Sequence, residues 1–141
     1  MTSDEKVAVE KKVLIVDDEL DQRIYVATLF KTSGYTVIVT KNGNEGLQKA
    51  KELRPDLIIL DVMMPEVGGV DMYRKLKSDP ALRDIPVIML TGVGEKSFSH
   101  YLKMLNIQIK ESIPEPDAYM EKPLDHEKML ELAEQLLYTA S

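Results

Sequence analysis

Four short apolar blocks constrain this chain more than anything else in it: Val13-Leu14-Ile15-Val16, Val37-Ile38-Val39, Leu57-Ile58-Ile59-Leu60 and Val87-Ile88-Met89-Leu90. Each is continuous rather than alternating, and three are rich in β-branched residues, the pattern of strands buried on both faces. Such strands need cover above and below, and the segments between them supply it. Leu20, Ile24, Ala27 and Phe30 form one helical stripe, closed by Gly34 as a C-terminal cap. Asn44 reads as the N-cap of a second helix carrying Leu47, Ala50 and Leu53, which Arg54-Pro55 stops. Val70, Tyr73 and Leu76 mark a third, ended by Ser78-Asp79-Pro80. Phe98, Tyr101, Leu102, Leu105 and Ile109 space a fourth helix of about three turns, with Met104 and Ile107 off its stripe. Pro114 and Pro116 make residues 111–117 a loop. A weaker block, Ala118-Tyr119-Met120, reads as a fifth strand. A last helix follows, capped by Asp125 and carrying Met129, Leu132, Ala133, Leu136 and Leu137. Strands alternating with helices imply right-handed crossovers and a parallel sheet covered on both sides. The length of 141 residues, without internal repeats, fits one α/β domain.

Composition removes several classes of function. With no cysteine there is no disulfide scaffold, zinc–thiolate site or cysteine nucleophile. His100 and His126 are too far apart for a short metal motif and read as helix-surface residues. Eighteen basic against 24 acidic residues, a net charge of −6, disfavours non-specific nucleic-acid binding. No apolar run reaches the ~18–20 residues of a membrane span, and the charged N-terminus lacks the features of a signal or transit peptide. A cytoplasmic protein is expected, with a flexible tail over residues 1–11 and a domain over 12–138.

Parallel strands place their C-terminal ends on one edge, and ligands of open α/β sheets bind beyond that edge. The first block is followed by Asp17, Asp18 and Glu19, the third by Asp61, the fourth by Thr91 and the fifth by Lys122. Three neighbouring carboxylates repel one another and raise each other's pKa unless a cation is present. Oxygen-only ligands suit a hard ion, Mg²⁺ in particular, with Mn²⁺ as a substitute. Lys122 adds a second positive charge. An aspartate in such a site is a candidate nucleophile towards phosphorus, giving an acyl phosphate. Metal and lysine would spread the charge on the transferring group. Singly, each residue has an ordinary explanation, such as a helix cap for Asp17 or Asp18. Their coincidence on one edge is what argues for a site.

Longer stretches carry a resemblance. Lys12-Val13-Leu14-Ile15-Val16-Asp17-Asp18-Glu19 is the first, and Arg54-Pro55-Asp56-Leu57-Ile58-Ile59-Leu60-Asp61-Val62-Met63-Met64-Pro65 with Gly69 the second. Pro86-Val87-Ile88-Met89-Leu90-Thr91-Gly92 and Tyr119-Met120-Glu121-Lys122-Pro123 complete the set. Together, over roughly residues 12–137, the chain resembles the receiver domain of two-component response regulators, the CheY-like superfamily. The resemblance implies a doubly wound (βα)5, flavodoxin-like three-layer sandwich with strand order 2-1-3-4-5. It implies Asp61 as phosphoacceptor, with Asp18 and Asp61 ligating Mg²⁺ directly and Asp17 mostly through water. The Met63 backbone carbonyl is a further implied ligand. Lys122 would pair with the carboxylate and later the phosphoryl group, and Lys122–Pro123 would be cis. Thr91 and Tyr119 match a switch pair that biases the surface of the fourth helix, fifth strand and fifth helix. The implied donor is the phosphohistidine of a sensor histidine kinase or a phosphotransfer protein, and the implied output is contact with a downstream protein. No substrate turnover beyond self-dephosphorylation is expected, nor direct contact with nucleic acid or membrane. Because the chain stops soon after the fifth helix, a stand-alone receiver is expected, monomeric or dimerising on phosphorylation.

The chain departs from the family pattern in places. Residues 95–117 are longer than usual, and Ile113-Pro114-Glu115-Pro116-Asp117-Ala118 replaces a small Gly-Ala turn. Gly92 stands where alanine is usual. Met63 and Val93, each two residues after Asp61 and Thr91, cannot hydrogen-bond an attacking water through their side chains, so slow self-dephosphorylation is expected. Competing classes fit less well. A flavodoxin-like electron carrier needs a Ser/Thr/Gly-rich phosphate loop, where this chain has Asp17-Asp18-Glu19-Leu20. A haloacid-dehalogenase-type hydrolase needs an aspartate two residues after its nucleophile, where Asp61 is followed by Met63 and Asp17 by Glu19. A pseudo-receiver, binding partners without phosphate, is the remaining alternative.

Overall fold

A computed structural model describes residues 10–63 and 69–138. The expected N-terminal tail lies, for residues 1–9, outside the described residues, as do Met64 and Pro65 of the second motif. The chain alternates β1 (Lys12–Val16), α1 (Leu20–Thr32), β2 (Thr36–Thr40), α2 (Gly43–Leu53) and β3 (Leu57–Asp61). It continues with α3 (Gly69–Ser78), β4 (Val87–Thr91), α4 (Glu95–Ile109), β5 (Ala118–Glu121) and α5 (His126–Tyr138). The five strands form one parallel sheet in the order β2-β1-β3-β4-β5, the doubly wound architecture expected.

Three of the apolar blocks are continuous because both sheet faces are covered; the block of edge strand β2 departs from the expectation, with Val37 and Ile38 half-buried and Val39 46% exposed. Leu14, Val16, Ile58, Leu60, Val87 and Met89 pack with Ala50, Met72, Tyr73, Leu76 and Phe98 of α2, α3 and α4. Val13, Ile15, Leu57, Ile59, Ile88 and Leu90 pack with Val26, Phe30, Met129 and Ala133 of α1 and α5. Gly46 lets α2 lie close: a Cβ there would stand 2.8 Å from Val16 Cγ2 and 3.0 Å from Met72 Sδ.

Several local expectations need correction. The stripe assigned to α1 is rotated: Val26, Ala27 and Phe30 are buried, whereas Leu20 and Ile24 are 57% and 55% exposed. The inward i, i+4 row is Gln22–Val26–Phe30, so it opens with a polar residue where the helix overhangs the sheet edge. The N-cap of α2 is Asn42, not Asn44. Asn42 is extended (φ −154°, ψ 170°) and its side chain accepts the Glu45 N–H at 2.9 Å. Elsewhere the end signals hold. Gly34 follows α1 at φ +97°, and Asp125 Oδ1 accepts the N–H groups of Glu127 and Lys128.

Helix α4 runs 15 residues, longer than the spacing suggested, until Lys110 turns left-handed at φ 57°. Phe98 and Leu102 are buried, but Tyr101, assigned to the same stripe, is exposed, as are Met104 and Ile107 off it. The loop that follows is tied down. Asn106 donates to the Ile113 carbonyl and accepts its N–H, Ile113 is buried, and Tyr73 Oη donates to the Pro114 carbonyl at 2.7 Å. Among the described residues no helix is long and apolar enough to cross a membrane.

Candidate functional site

The two-residue period of a strand decides which side chains can meet at the sheet edge. Val13 and Ile15 face α1 and α5, so Asp17 continues that face. Leu57 and Ile59 carry Asp61 to the same side, and Ala118 and Met120 carry Lys122 there. Met89 faces the opposite layer and takes Thr91 with it. Tyr119, paired with Met89 in the β4–β5 register, lies on that side too. The strand ends therefore separate into an ionic set beside α1 and a hydroxyl–aromatic pair beside α4.

In the ionic set, Asp17 and Asp61 are 0% and 2% exposed. Lys122 Nζ lies 2.8 Å from Asp61 Oδ2, and Asp61 Oδ1 accepts the Met63 N–H at 2.8 Å. The Lys122 N–H bonds the Thr91 carbonyl at 2.9 Å, which fixes where its side chain leaves the sheet. Asp17 Oδ1 accepts the Glu19 N–H, and the Arg23 guanidinium donates to the Asp17 carbonyl. Gln22 joins the two acids: its Nε2 donates to Asp17 Oδ2 and, at 2.8 Å, to Asp61 Oδ2. Sequence reasoning missed Gln22. Its one signal was a polar residue heading the row that Val26 and Phe30 complete. Asp18 is exposed, and among the described residues no three acidic or histidine side chains converge at metal-holding distances.

The donor set nevertheless fits a hard divalent cation. Two buried carboxylates share one edge with no thiol or imidazole, and burial, helped by the Asp61 charge, pushes Asp17 up to about 6. Hydrogen bonds from Gln22 and Glu19 and the charge of Lys122 oppose that rise without cancelling it. The folded chain therefore holds a proton on Asp17 at pH values where the unfolded chain has lost it. Stability of the metal-free protein is expected to fall as pH rises from 3.8 to about 6. Integrated, the loss amounts to no more than about 3 kcal/mol. Urea unfolding in EDTA across this window checks it: the component is present in wild type and absent in Asp17→Asn.

In the second set, Thr91 is fully buried and its Oγ1 accepts the Val93 N–H at 3.0 Å. The Tyr119 ring packs edge-on against Phe98 at 5.8 Å. Its hydroxyl donates to Glu115 Oε1, and Ser99 Oγ donates to Glu115 Oε2 at 2.9 Å. Burial and the Glu115 carboxylate both raise the Tyr119 phenol pKa. A cavity of about 390 Å³ lies between Met63, Thr91, Val93 and Phe98.

This edge of a 2-1-3-4-5 sheet, with a lysine on a buried strand-end aspartate, agrees with a family match. The response regulator receiver domain model matches residues 13–134. The chain belongs to that family.

Among similar proteins, the polar-differentiation response regulator DivK of Brucella anthropi is 37% identical over 122 residues, covering 86% of this chain and 91% of that protein. DivK of Brucella ovis is 35% identical over the same length and coverage. The solved structure of the chemotaxis response regulator CheY4 of Vibrio cholerae superposes with a TM-score of 0.77 at 27% identity, covering 92% of this chain and all of that one. The signal receiver domain of a histidine kinase from Syntrophus aciditrophicus gives 0.78 at 30% identity, covering 93% and 92%. This receiver domain is thus a module of two-component signalling rather than a classical enzyme. Domains of its family interact with histidine kinases or phosphotransfer proteins and typically bind Mg²⁺ at the phosphorylation site.

Proposed function

We propose that Asp61 accepts a phosphoryl group from the phosphohistidine of a sensor kinase or phosphotransfer protein, and that residues 12–138 pass the signal on by protein contact. One observation carries the reading: a 2%-exposed carboxylate ends the central strand with the Lys122 ammonium on one oxygen and the Met63 N–H on the other. In the transfer an Asp61 oxygen forms the O–P bond while the donor's P–N bond breaks, and the electron pair leaves on the imidazole nitrogen, which takes up a proton. Lys122 offsets the negative charge of the incoming oxygens. Mg²⁺, when bound, would be held by Asp18, Asp61 and the Met63 carbonyl, with Asp17 mostly through water, and would supply the further positive charge that an anionic donor needs among carboxylates.

The readout runs through the other face. Thr91 gives up its bond to the Val93 N–H when its hydroxyl turns to the phosphoryl group, and the adjoining cavity takes the Tyr119 ring. Glu115 opposes this, because its carboxylate holds both Tyr119 and Ser99 of α4 in the resting arrangement. The 111–117 loop thereby biases the α4–β5–α5 surface towards its unphosphorylated form.

Incubation with acetyl phosphate and Mg²⁺, followed by intact-mass measurement, tests the reading. Wild type is expected to gain one phosphoryl group and Asp61→Asn none. No gain in wild type would favour the pseudo-receiver. After removal of acetyl phosphate the adduct is expected to persist for hours, because the side chains of Met63 and Val93 offer an attacking water no hydrogen bond. Loss within seconds would remove those two residues from any part in its lifetime.

A further inference from the structure

Gln22 is not used in the transfer described above, yet its amide touches both buried carboxylates. It heads the inward row of α1, and the burial of Val26 and Phe30 below it anchors the helix over the sheet edge. One nitrogen with two hydrogens serves Asp17 Oδ2 and Asp61 Oδ2. Its orientation matters: the nitrogen faces the acids, so it acts as a donor to anions and not as an oxygen ligand for a cation. On the outer side, a cleft of about 360 Å³ lined by Glu19, Tyr25, Gln22 and Lys122 offers the side chain room to swing away.

We infer that Gln22 is a neutral internal substitute for the divalent cation. It ties Asp17 to Asp61 in the metal-free protein and must let go of at least one of them before the ion binds. The inference rests on reading the acid pair as the metal site. It makes two quantities move in opposite directions when the amide is deleted: metal-free stability falls and metal affinity rises.

Gln22→Met, which keeps the chain length without the amide, and Gln22→Ala test it against wild type. Gln48→Ala, an exposed glutamine that bonds Glu52 on α2, serves as the control. The readouts are calorimetric titration of EDTA-stripped protein with MgCl₂ and thermal melting with and without Mg²⁺. Both Gln22 variants are expected to bind Mg²⁺ roughly tenfold more tightly, the ~1.4 kcal/mol of one charge-assisted hydrogen bond no longer competing. Their metal-free melting temperature is expected to drop by about 3–5 °C and to converge on that of wild type at saturating Mg²⁺. Gln48→Ala is expected to move neither. Unchanged or weaker Mg²⁺ binding in both variants, beside clear binding by wild type, overturns this inference alone. Lower stability without tighter binding also overturns it, because the amide would then be only structural. If neither wild type nor variants bind Mg²⁺, the metal reading of the acid pair fails and the inference falls with it.

Discussion

Lys122→Met will accept a phosphoryl group from acetyl phosphate roughly 100-fold more slowly than wild type, although Asp61 is untouched. Lys122 Nζ is the cation in contact with Asp61 Oδ2, at 2.8 Å. It is held there before any donor arrives, because its backbone N–H bonds the Thr91 carbonyl. A charge already in position where negative charge gathers costs no reorganisation during the reaction, and the loss of one such group typically costs 10²–10³ in rate, about 3–4 kcal/mol. Methionine preserves the apolar stem and removes only the ammonium. Arginine will not restore the rate, since a planar fork cannot reproduce a point charge on one oxygen. Stability will fall as well, by about 2–3 kcal/mol in urea unfolding, because the Asp61 carboxylate is only 2% exposed and loses its cation, while the 27% exposure of the lysine moderates the loss. Single-turnover kinetics followed by intact mass give the number. A variant as fast as wild type would take Lys122 out of the chemistry.

Gly69→Ala will destabilise the fold by about 2–3 kcal/mol and slow phosphoryl acceptance together with it. A Cβ at Gly69 would stand 2.7 Å from the Asp61 carbonyl oxygen and 2.7 Å from Val62 Cα. Both are backbone atoms, so no side chain can rotate out of the way. Either the start of α3 lifts from the sheet or the end of β3 shifts, and β3 ends on Asp61. Gly92→Ala is the useful contrast: among the described residues its Cβ would meet the Met63 side chain, Cε, Sδ and Cγ, at 3.5, 3.6 and 4.0 Å, ordinary contact distances. Chemical denaturation of both variants, with adduct yield at fixed acetyl phosphate, checks the pair. Equal stability of Gly69→Ala and wild type would show that the close approach is relieved without moving β3.

The elements were legible from the sequence wherever one physical rule dominated. Continuous blocks such as Leu57-Ile58-Ile59-Leu60 marked doubly covered strands, and Gly34 and Asp125 ended and began helices because left-handed backbone and N–H capping select those residue types. The reading slipped where two candidates obeyed the same rule. Asn42 and Asn44 are both capping residues, and only the extended backbone of Asn42 separates them. Leu20 and Ile24 fit an apolar row of α1 as well as Val26 and Phe30 do. The helix buries the row of Val26 and Phe30, which brings Gln22 at its head onto the two carboxylates while Leu20 and Ile24 face outward. Glu115 could not be read at all, since its partners Ser99 and Tyr119 depend on how the loop from 111 to 117 is tied to Asn106 and Tyr73.

By itself the sequence determined that Asp17, Asp61, Thr91 and Lys122 stand at the C-terminal edge of one parallel sheet, because alternation of strand and helix leaves no other arrangement of the strand ends. It could not say which of them face one another. A strand apolar on both sides carries no mark of its two faces, so the parity of each terminal residue is set only when the strands take their register and the helices their layers. Tertiary structure put Asp17, Asp61 and Lys122 beside α1 with Gln22 among them. It put Thr91 and Tyr119 beside α4, and so set the ionic group and the hydroxyl–aromatic pair on opposite faces of a single sheet.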